Sequence, residues 1–344
     1  MPQTLYRVKN ALYRCGMRVF MPDLARQMAQ EGNLALPRDG ALLPDGSASA
    51  PEFMQVEDNG ANVTIFAFSG LDVLYAGLAR YEFGRVLHQL DIEANLVFVR
   101  DVHRMGFQLK PDGTVGGPAF YAAELLHVKN RLGARRNIAI GSSIGGSAAF
   151  LFGTLCEMDE VILFGAAFNL DGFAAPSMLR RTALNWRQLL AEPRAYVELL
   201  IVTLAARWAR KNFARRVGEE NISRPLEIFK RAAVKPAVTL FYGVESLPDK
   251  SQAMLIRSCP KTCLVPLPTG RHNTPAFLKK QGTLAAHIAE ALNNPPRGST
   301  REAHSTEPCT LSERGVPPVN RPMHTHAVFA KKINPSAPTL TRAR

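Results

Sequence analysis

The sequence contains no long uninterrupted apolar run. Its apolar stretches all fall short of the roughly 18 residues that a membrane-spanning helix needs, so we expect no transmembrane segment. Residues 1–22 also lack the continuous apolar core and the small-residue cleavage site of a secretory signal. Their apolar side chains recur at helical spacing instead, which predicts an amphipathic helix. Both absences favour a cytoplasmic protein.

Cysteines are few and do not form a recognisable pattern. The chain has 5 of them, scattered along its length, which argues against a disulfide framework and for a reducing compartment. Cys259 and Cys263 are the closest pair, but the spacing in CPKTC is not the CxxC of a zinc or redox site. We therefore interpret both as structural thiols and expect neither a metal nor a cofactor.

Acidic residues are outnumbered by basic ones. The 42 Lys and Arg residues against 29 Asp and Glu residues give a net charge of +13. Most of the excess falls in residues 169–233 and 294–344, which carry 12 basic against 6 acidic and 8 against 3. No basic motif with interleaved aromatic residues occurs, so we expect no nucleic-acid partner. Contact of the basic C-terminal tail with an anionic surface remains an alternative to plain solvation.

Residues 59–292 alternate between buried strands and helices. Short apolar, β-branched runs predict strands at 63–68, 95–101, 137–141, 160–165, 234–243 and 262–267. Helical segments are predicted at about 76–90, 118–132, 145–156 and 250–258, with a last helix at 275–292. Their alternation with the strands predicts a parallel sheet, and residues 175–232 predict a helical insertion. The remaining ends are predicted as an N-terminal helix and loop (1–58) and a disordered basic tail (293–344), because the tail has few large apolar residues.

The third predicted strand leads directly into a Gly-x-Ser-x-Gly motif. Ser143 stands between Gly141 and Gly145, and a small-residue helix follows. A serine on such a tight strand–turn–helix connection is held above the carboxyl end of the sheet, and glycines on both sides avoid steric clashes. Ser142 is the competing nucleophile but lacks this glycine spacing. The alternative interpretation is a turn that merely binds phosphate or has no role.

This order of elements resembles the α/β-hydrolase superfamily over roughly residues 60–292. The resemblance implies a mostly parallel, doubly wound sheet with a helical cap insertion. It also implies a catalytic triad in the chain order serine, acid, histidine. The histidine is then His272, which follows the last strand. His103, which follows the second, is interpreted as a substrate-side or incidental residue.

The triad acid is expected in the loop after the strand that ends at Gly243. Asp249 is favoured because it lies just before the next helix. Glu245, in the same loop, and Asp171, after the preceding strand, remain alternatives.

The implied activity is that of a serine hydrolase. Such an enzyme would cleave an ester, thioester or amide of a small-molecule or glycan-linked acyl substrate through an acyl-enzyme. Its oxyanion would be bound by the amide of Ile144 and by that of Gly70 or Leu71. The loop Phe68-Ser-Gly-Leu71 departs from the His-Gly patterns common in esterases and lipases. An acyltransferase with the same triad and a catalytically silent binding protein are the alternatives.

Overall fold

The computed structural model describes residues 53–70, 82–90 and 92–294, together with positions 11, 14, 15 and 18. The predicted disordered tail beyond residue 294, most of the predicted N-terminal helix and loop, and Leu71 lie outside these residues. Within the described ranges, no helix is both long enough and apolar enough to cross a membrane.

The described strands form one sheet of seven, in the order β1-β3-β2-β4-β5-β6-β7. The strands are β1 (Met54–Glu57), β2 (Val63–Phe68), β3 (Asn95–Val99), β4 (Arg136–Ser142), β5 (Glu160–Phe164), β6 (Ala237–Gly243) and β7 (Thr262–Leu267). All neighbours from β3 to β7 are parallel, and β1 pairs antiparallel with β3. The strand that carries the Gly-x-Ser-x-Gly motif, β4, is therefore the central one.

The edge strand β1 corrects the sequence-based interpretation, which placed residues 36–58 in a loop. Met54 pairs with Val99, and the register continues to Glu57 opposite Leu96. The alternation Met-Gln-Val-Glu is the period-2 pattern of a strand. Four residues next to a Gly- and Ser-rich stretch are too short for that signal to stand out.

Helices cover both faces of the sheet. They are α1 (Gly84–Gln89), α2 (Gly117–Leu132), α3 (Ser143–Leu155), α4 (Leu170–Phe173), α5 (Pro176–Ala183), α6 (Trp186–Ala191), α7 (Pro193–Val217), α8 (Pro225–Arg231), α9 (Leu247–Ile256), α10 (Thr274–Lys280) and α11 (Leu284–Asn293). Successive side chains of a strand point to opposite faces of the sheet, so the apolar core is divided between the two faces. Phe66 of β2 packs in a cluster with Tyr121 of α2, whereas Ile65 belongs to a separate cluster with Ile288 of α11.

The last predicted helix, from Pro275 to Leu292, is in fact two helices, α10 and α11. Gly282 lies between them with φ +74°, in the left-handed region that ends helices. Thr283 N–H then bonds back to the carbonyl of Leu278. The apolar periodicity continues across this break, and for that reason the sequence predicted one helix.

The segment between β5 and β6 contains α4 to α8 and no strand. Its last helix, α8, packs against α3, one of the helices that flank the sheet. The ring centroids of Phe229 in α8 and Phe150 in α3 are 4.6 Å apart. We call residues 170–217, from α4 to α7, the insertion. It is shorter than the predicted 175–232.

The apolar faces predicted for the insertion are partly wrong. Helical spacing in the sequence predicts one apolar face that ends at Leu189-Leu190 and a second that ends at Trp208. In the structure, Leu190 and Trp208 are 73% and 57% exposed. The buried side of α7 runs instead through Ala195, Leu199 and Thr203.

Candidate active site

Ser143 occupies a strained turn between β4 and α3. Its φ of 54° lies in the left-handed region, which is unfavourable for a residue with a side chain. A Cβ on Gly141 would lie 2.2 Å from the carbonyl oxygen of Gly145, and one on Gly145 would lie 2.5 Å from that of Phe68. Both glycines of the motif are therefore required sterically at these positions.

Three side chains predicted from the sequence form one hydrogen-bonded chain. Nε2 of His272 lies 2.8 Å from Oγ of Ser143, and Nδ1 lies 2.7 Å from Oδ1 of Asp249. His272 is 5% exposed and Asp249 is 1% exposed. The serine comes from the end of β4, the acid from the first turn of α9 after β6, and the histidine from the loop after β7. The arrangement brings a nucleophile, a base and a carboxylate together in the order needed for proton transfer.

The two alternative acids lie elsewhere. Glu245 is exposed. Asp171 pairs with Arg210 of α7 instead of with the histidine. Ser142, the competing nucleophile, ends β4, and the bond from His272 goes to Ser143.

The pKa of His272 is subject to two opposing influences. Burial lowers this pKa, whereas the charge of Asp249, its hydrogen bond and the charge of Glu198 raise it. The pKa of His272 lies above its ordinary value as a result. The carboxylate therefore stabilises the imidazolium that forms when the ring accepts a proton.

Two of the three predicted oxyanion residues line the cavity beside Ser143. The amide of Ile144 belongs to the first turn of α3, where N–H groups have no carbonyl partner within the helix. Gly70 follows β2, and a Cβ there would lie 3.3 Å from the carbonyl oxygen of Ser142. A glycine at this position thus lets the loop after β2 approach the end of β4 closely.

His103 has a structural environment. Its Nε2 lies 2.9 Å from the carbonyl oxygen of Pro111, and its amide donates to the carboxylate of Asp101. It does not line the cavity at Ser143. Of the two interpretations made from the sequence, this placement fits the incidental one.

These placements decide the fold. A central parallel strand ends in a strained turn at Ser143, and Asp249 and His272 follow later strands of the same sheet in that chain order. The chain has the α/β-hydrolase fold. Helices on both faces and the helical segment between β5 and β6 agree with the expected architecture.

Solved structures similar to this α/β-hydrolase fold are distant from it in sequence. An esterase from Pyrococcus furiosus is 14% identical, with 70% of this chain and 84% of that chain covered and a TM-score of 0.43. Proline iminopeptidase from Mycobacterium smegmatis is 13% identical, with 71% of this chain and 96% of that chain covered and a TM-score of 0.43. The capsule O-acetyltransferase of Neisseria meningitidis serogroup A is 12% identical, with 70% of this chain and 91% of that chain covered and a TM-score of 0.43. No protein-family model and no curated protein sequence matches the chain.

The insertion holds the histidine loop through three side chains that the sequence did not single out. Gln188 of α6 donates to the carbonyl oxygen of Gly270 at 3.2 Å. Glu192 accepts from the amide of the same Gly270 at 2.8 Å, and Glu198 of α7 accepts from the amide of Asn273 at 2.8 Å. The loop that carries the imidazole is thus fixed by the insertion as well as by the sheet.

Glu198 is a buried carboxylate in a strongly basic segment. Burial raises its pKa, against the bond from Asn273 and the charges of His272 and Arg271, which lower it; the charge of Asp249 adds to the increase. The sequence carried a signal for this residue. Glu198 lies at helical spacing from Ala195 and Val202, so it interrupts a face of small apolar residues.

A small cavity opens at Ser143. Its volume is about 120 Å³. The residues that line it are Gly70, Glu82, Ser142, Ser143, Ile144, Ala167, Leu170, Phe173, Val202, Ala205, Ala206, Ala209, His272 and Asn273. Four of them come from α7, so the insertion forms one wall of the cavity at the nucleophile.

Proposed function

We propose that this protein is a serine hydrolase that cleaves an ester, thioester or amide. The observation that carries the proposal is the buried hydrogen-bonded chain from Asp249 through His272 to Ser143. Serine is a poor nucleophile until a base removes its proton, and imidazole does this near neutral pH. A protein that only binds ligands gains nothing from a strained serine in contact with a buried histidine–carboxylate pair.

In the acylation step, Oγ of Ser143 attacks the carbonyl carbon of the substrate while Nε2 of His272 takes the hydroxyl proton. The negative charge on the carbonyl oxygen is stabilised by the amides of Ile144 and Gly70. The same proton then passes from His272 to the leaving group as the bond to it breaks. Asp249 stabilises the imidazolium and fixes its orientation through Nδ1.

Water completes the cycle. His272 removes a proton from a water molecule, whose oxygen attacks the acyl-enzyme, and the proton returns to Oγ of Ser143 as the acid product leaves. Each of the two amides at the oxyanion is worth about 2.7–4 kcal/mol of transition-state stabilisation in comparable enzymes.

A fluorophosphonate probe tests the proposal before any substrate is known. The probe should label the wild type at Ser143, and peptide mapping should locate the label. Ser143→Ala should not react, whereas Ser142→Ala should still be labelled. The same three proteins are then compared on p-nitrophenyl esters, with an expected loss of several orders of magnitude for Ser143→Ala. A folded wild type that neither reacts with the probe nor hydrolyses any ester would refute the proposal.

A further inference from the structure

We propose that the cavity at Ser143 binds a short, uncharged acyl group. The group should have no more than about six non-hydrogen atoms, since benzene, which is of that size, occupies a slightly larger cavity. This inference rests on the proposed function. Three observations carry it: the residues of the α7 wall, the volume, and the charge of the lining.

The α7 wall is built from small side chains. Val202, Ala205, Ala206 and Ala209 line the cavity, and their spacing of three, four and seven places them on one helix face. Leu170 and Phe173 of α4 complete the apolar lining, and the Phe173 ring lies edge-on to His272 at 5.6 Å between centroids. The part of the lining that α4 and α7 supply is therefore apolar.

The volume limits the length of that chain. The cavity measures about 120 Å³, less than the roughly 150 Å³ of a dry apolar cavity that accommodates benzene. Behind the wall, Ala209 packs with Met105 and Phe213 in a buried apolar cluster. A chain that extended past Ala209 would have to displace this cluster, because closely packed side chains leave no free channel.

The lining also disfavours a charged acyl group. Among the residues that the structure describes, the lining contains Glu82 but neither lysine nor arginine. Arg180, Arg181 and Arg187, which belong to the basic segment 169–233, are exposed and lie outside this lining. A carboxylate on the acyl chain would lose its hydration without gaining a cationic partner, which is unfavourable.

Acyl-chain length is the direct test. Values of kcat/KM are measured for p-nitrophenyl acetate, butyrate, hexanoate, octanoate and laurate, and for the mono-p-nitrophenyl ester of succinic acid. We expect kcat/KM to be highest between acetate and hexanoate. It should decrease by about tenfold or more from hexanoate to octanoate, since one methylene in an apolar pocket changes kcat/KM by at least about that factor. The succinate ester should react more slowly than the butyrate. An optimum at octanoate or laurate, or a preference for succinate, would overturn the inference.

Substitutions on α7 locate the acyl group. Ala206→Leu adds three carbon atoms to the wall and should move the optimum toward acetate. Ala214→Leu, on the same helix but outside the lining, is the matched control and should keep the wild-type profile. If Ala206→Leu does not fold, Ala205→Val makes the smaller change. Identical profiles for a folded wall variant and the wild type would also overturn the inference.

Fluorophosphonate labelling distinguishes a failure of the acyl-size inference from a failure of the proposed function. A labelled enzyme that prefers long acyl chains contradicts only the acyl-size inference. A folded wild type that is not labelled and hydrolyses none of the esters contradicts the proposed function itself.

Discussion

The carboxylate of Glu198 accepts a hydrogen bond from the amide of Asn273 at 2.8 Å, one residue after His272. Its charge also raises the pKa of that histidine. Glu198 belongs to α7, so the helix that lines the cavity also acts on the base. We expect a positioning role for this residue, since the reacting proton passes through His272 and not through Glu198.

Glu198→Gln should move the acid limb of the pH profile of kcat/KM to lower pH. The proposed base is active when neutral, so activity falls as pH decreases through the pKa of His272. Removing the charge of Glu198 removes one of the influences that raise this pKa. The amide keeps an acceptor for Asn273, so the loop should keep its position. The measurement is kcat/KM on a neutral ester from pH 5 to 9.

Glu192→Gln is the matched control, because Glu192 also binds the histidine loop but is not among the groups that raise the pKa of His272. Its acid limb should coincide with that of the wild type. An unchanged limb in Glu198→Gln would mean that Glu198 is protonated, as its burial favours. Glu198→Ala should lower kcat more than Glu198→Gln does, because Asn273 then loses its acceptor.

Asp249→Asn should lower kcat by about 10⁴-fold while leaving the fold intact. The amide cannot hold the imidazole in the required tautomer, and loss of the equivalent carboxylate in serine proteases has an effect of about this size. Glu245→Gln should stay within about twofold of the wild type because Glu245 is exposed. Steady-state kinetics on one ester compares the two, and equal effects would reject Asp249 as the triad acid.

The sequence was sufficient to single out Ser143, Asp249 and His272, which lie in hydrogen-bond contact, because this information is local. A strand, a turn and a helix surround Ser143, and the loops after β6 and β7 hold few titratable residues. The parallel sheet follows from the same alternation. Asp249 could be preferred over Glu245 because it precedes the predicted helix, although it lies in the first turn of α9. Only its burial and its bond to His272 distinguish it from Glu245.

Contacts between distant segments were not predictable in this way. The hydrogen bonds between Gly270 and the side chains of Gln188 and Glu192 join residues that are 82 and 78 positions apart in the sequence. No periodicity in either segment indicates the other. The apolar face of α7 was also predicted wrongly, because large residues such as Trp208 dominate the apolar pattern. The α7 residues that line the cavity are Val202 and three alanines.

Trp208→Ala should leave kcat/KM and chain-length preference within about twofold of the wild type. Trp208 is 57% exposed and does not line the cavity, although the sequence placed it on a predicted buried face. Surface substitutions of this kind usually change stability by no more than about 0.5 kcal/mol. Kinetics on the ester series and a thermal melt check both statements. A change in chain-length preference would show that Trp208 contacts the substrate.

Gly145→Ala should lower kcat by about 10²–10³-fold, the effect of losing one oxyanion donor. A Cβ at Gly145 would lie 2.5 Å from the carbonyl oxygen of Phe68 and 2.9 Å from the nitrogen of Gly70. It would therefore push the loop after β2, with the Gly70 amide, away from α3. Gly133→Ala is the control, since nothing lies within 4 Å of a Cβ added at Gly133, whose φ is +61°. That variant should lose only about 1–2 kcal/mol of stability, the cost of a left-handed alanine, with kcat unchanged. Urea unfolding and kcat are measured on both, and wild-type kcat in a folded Gly145→Ala would rule out Gly70 as an oxyanion donor.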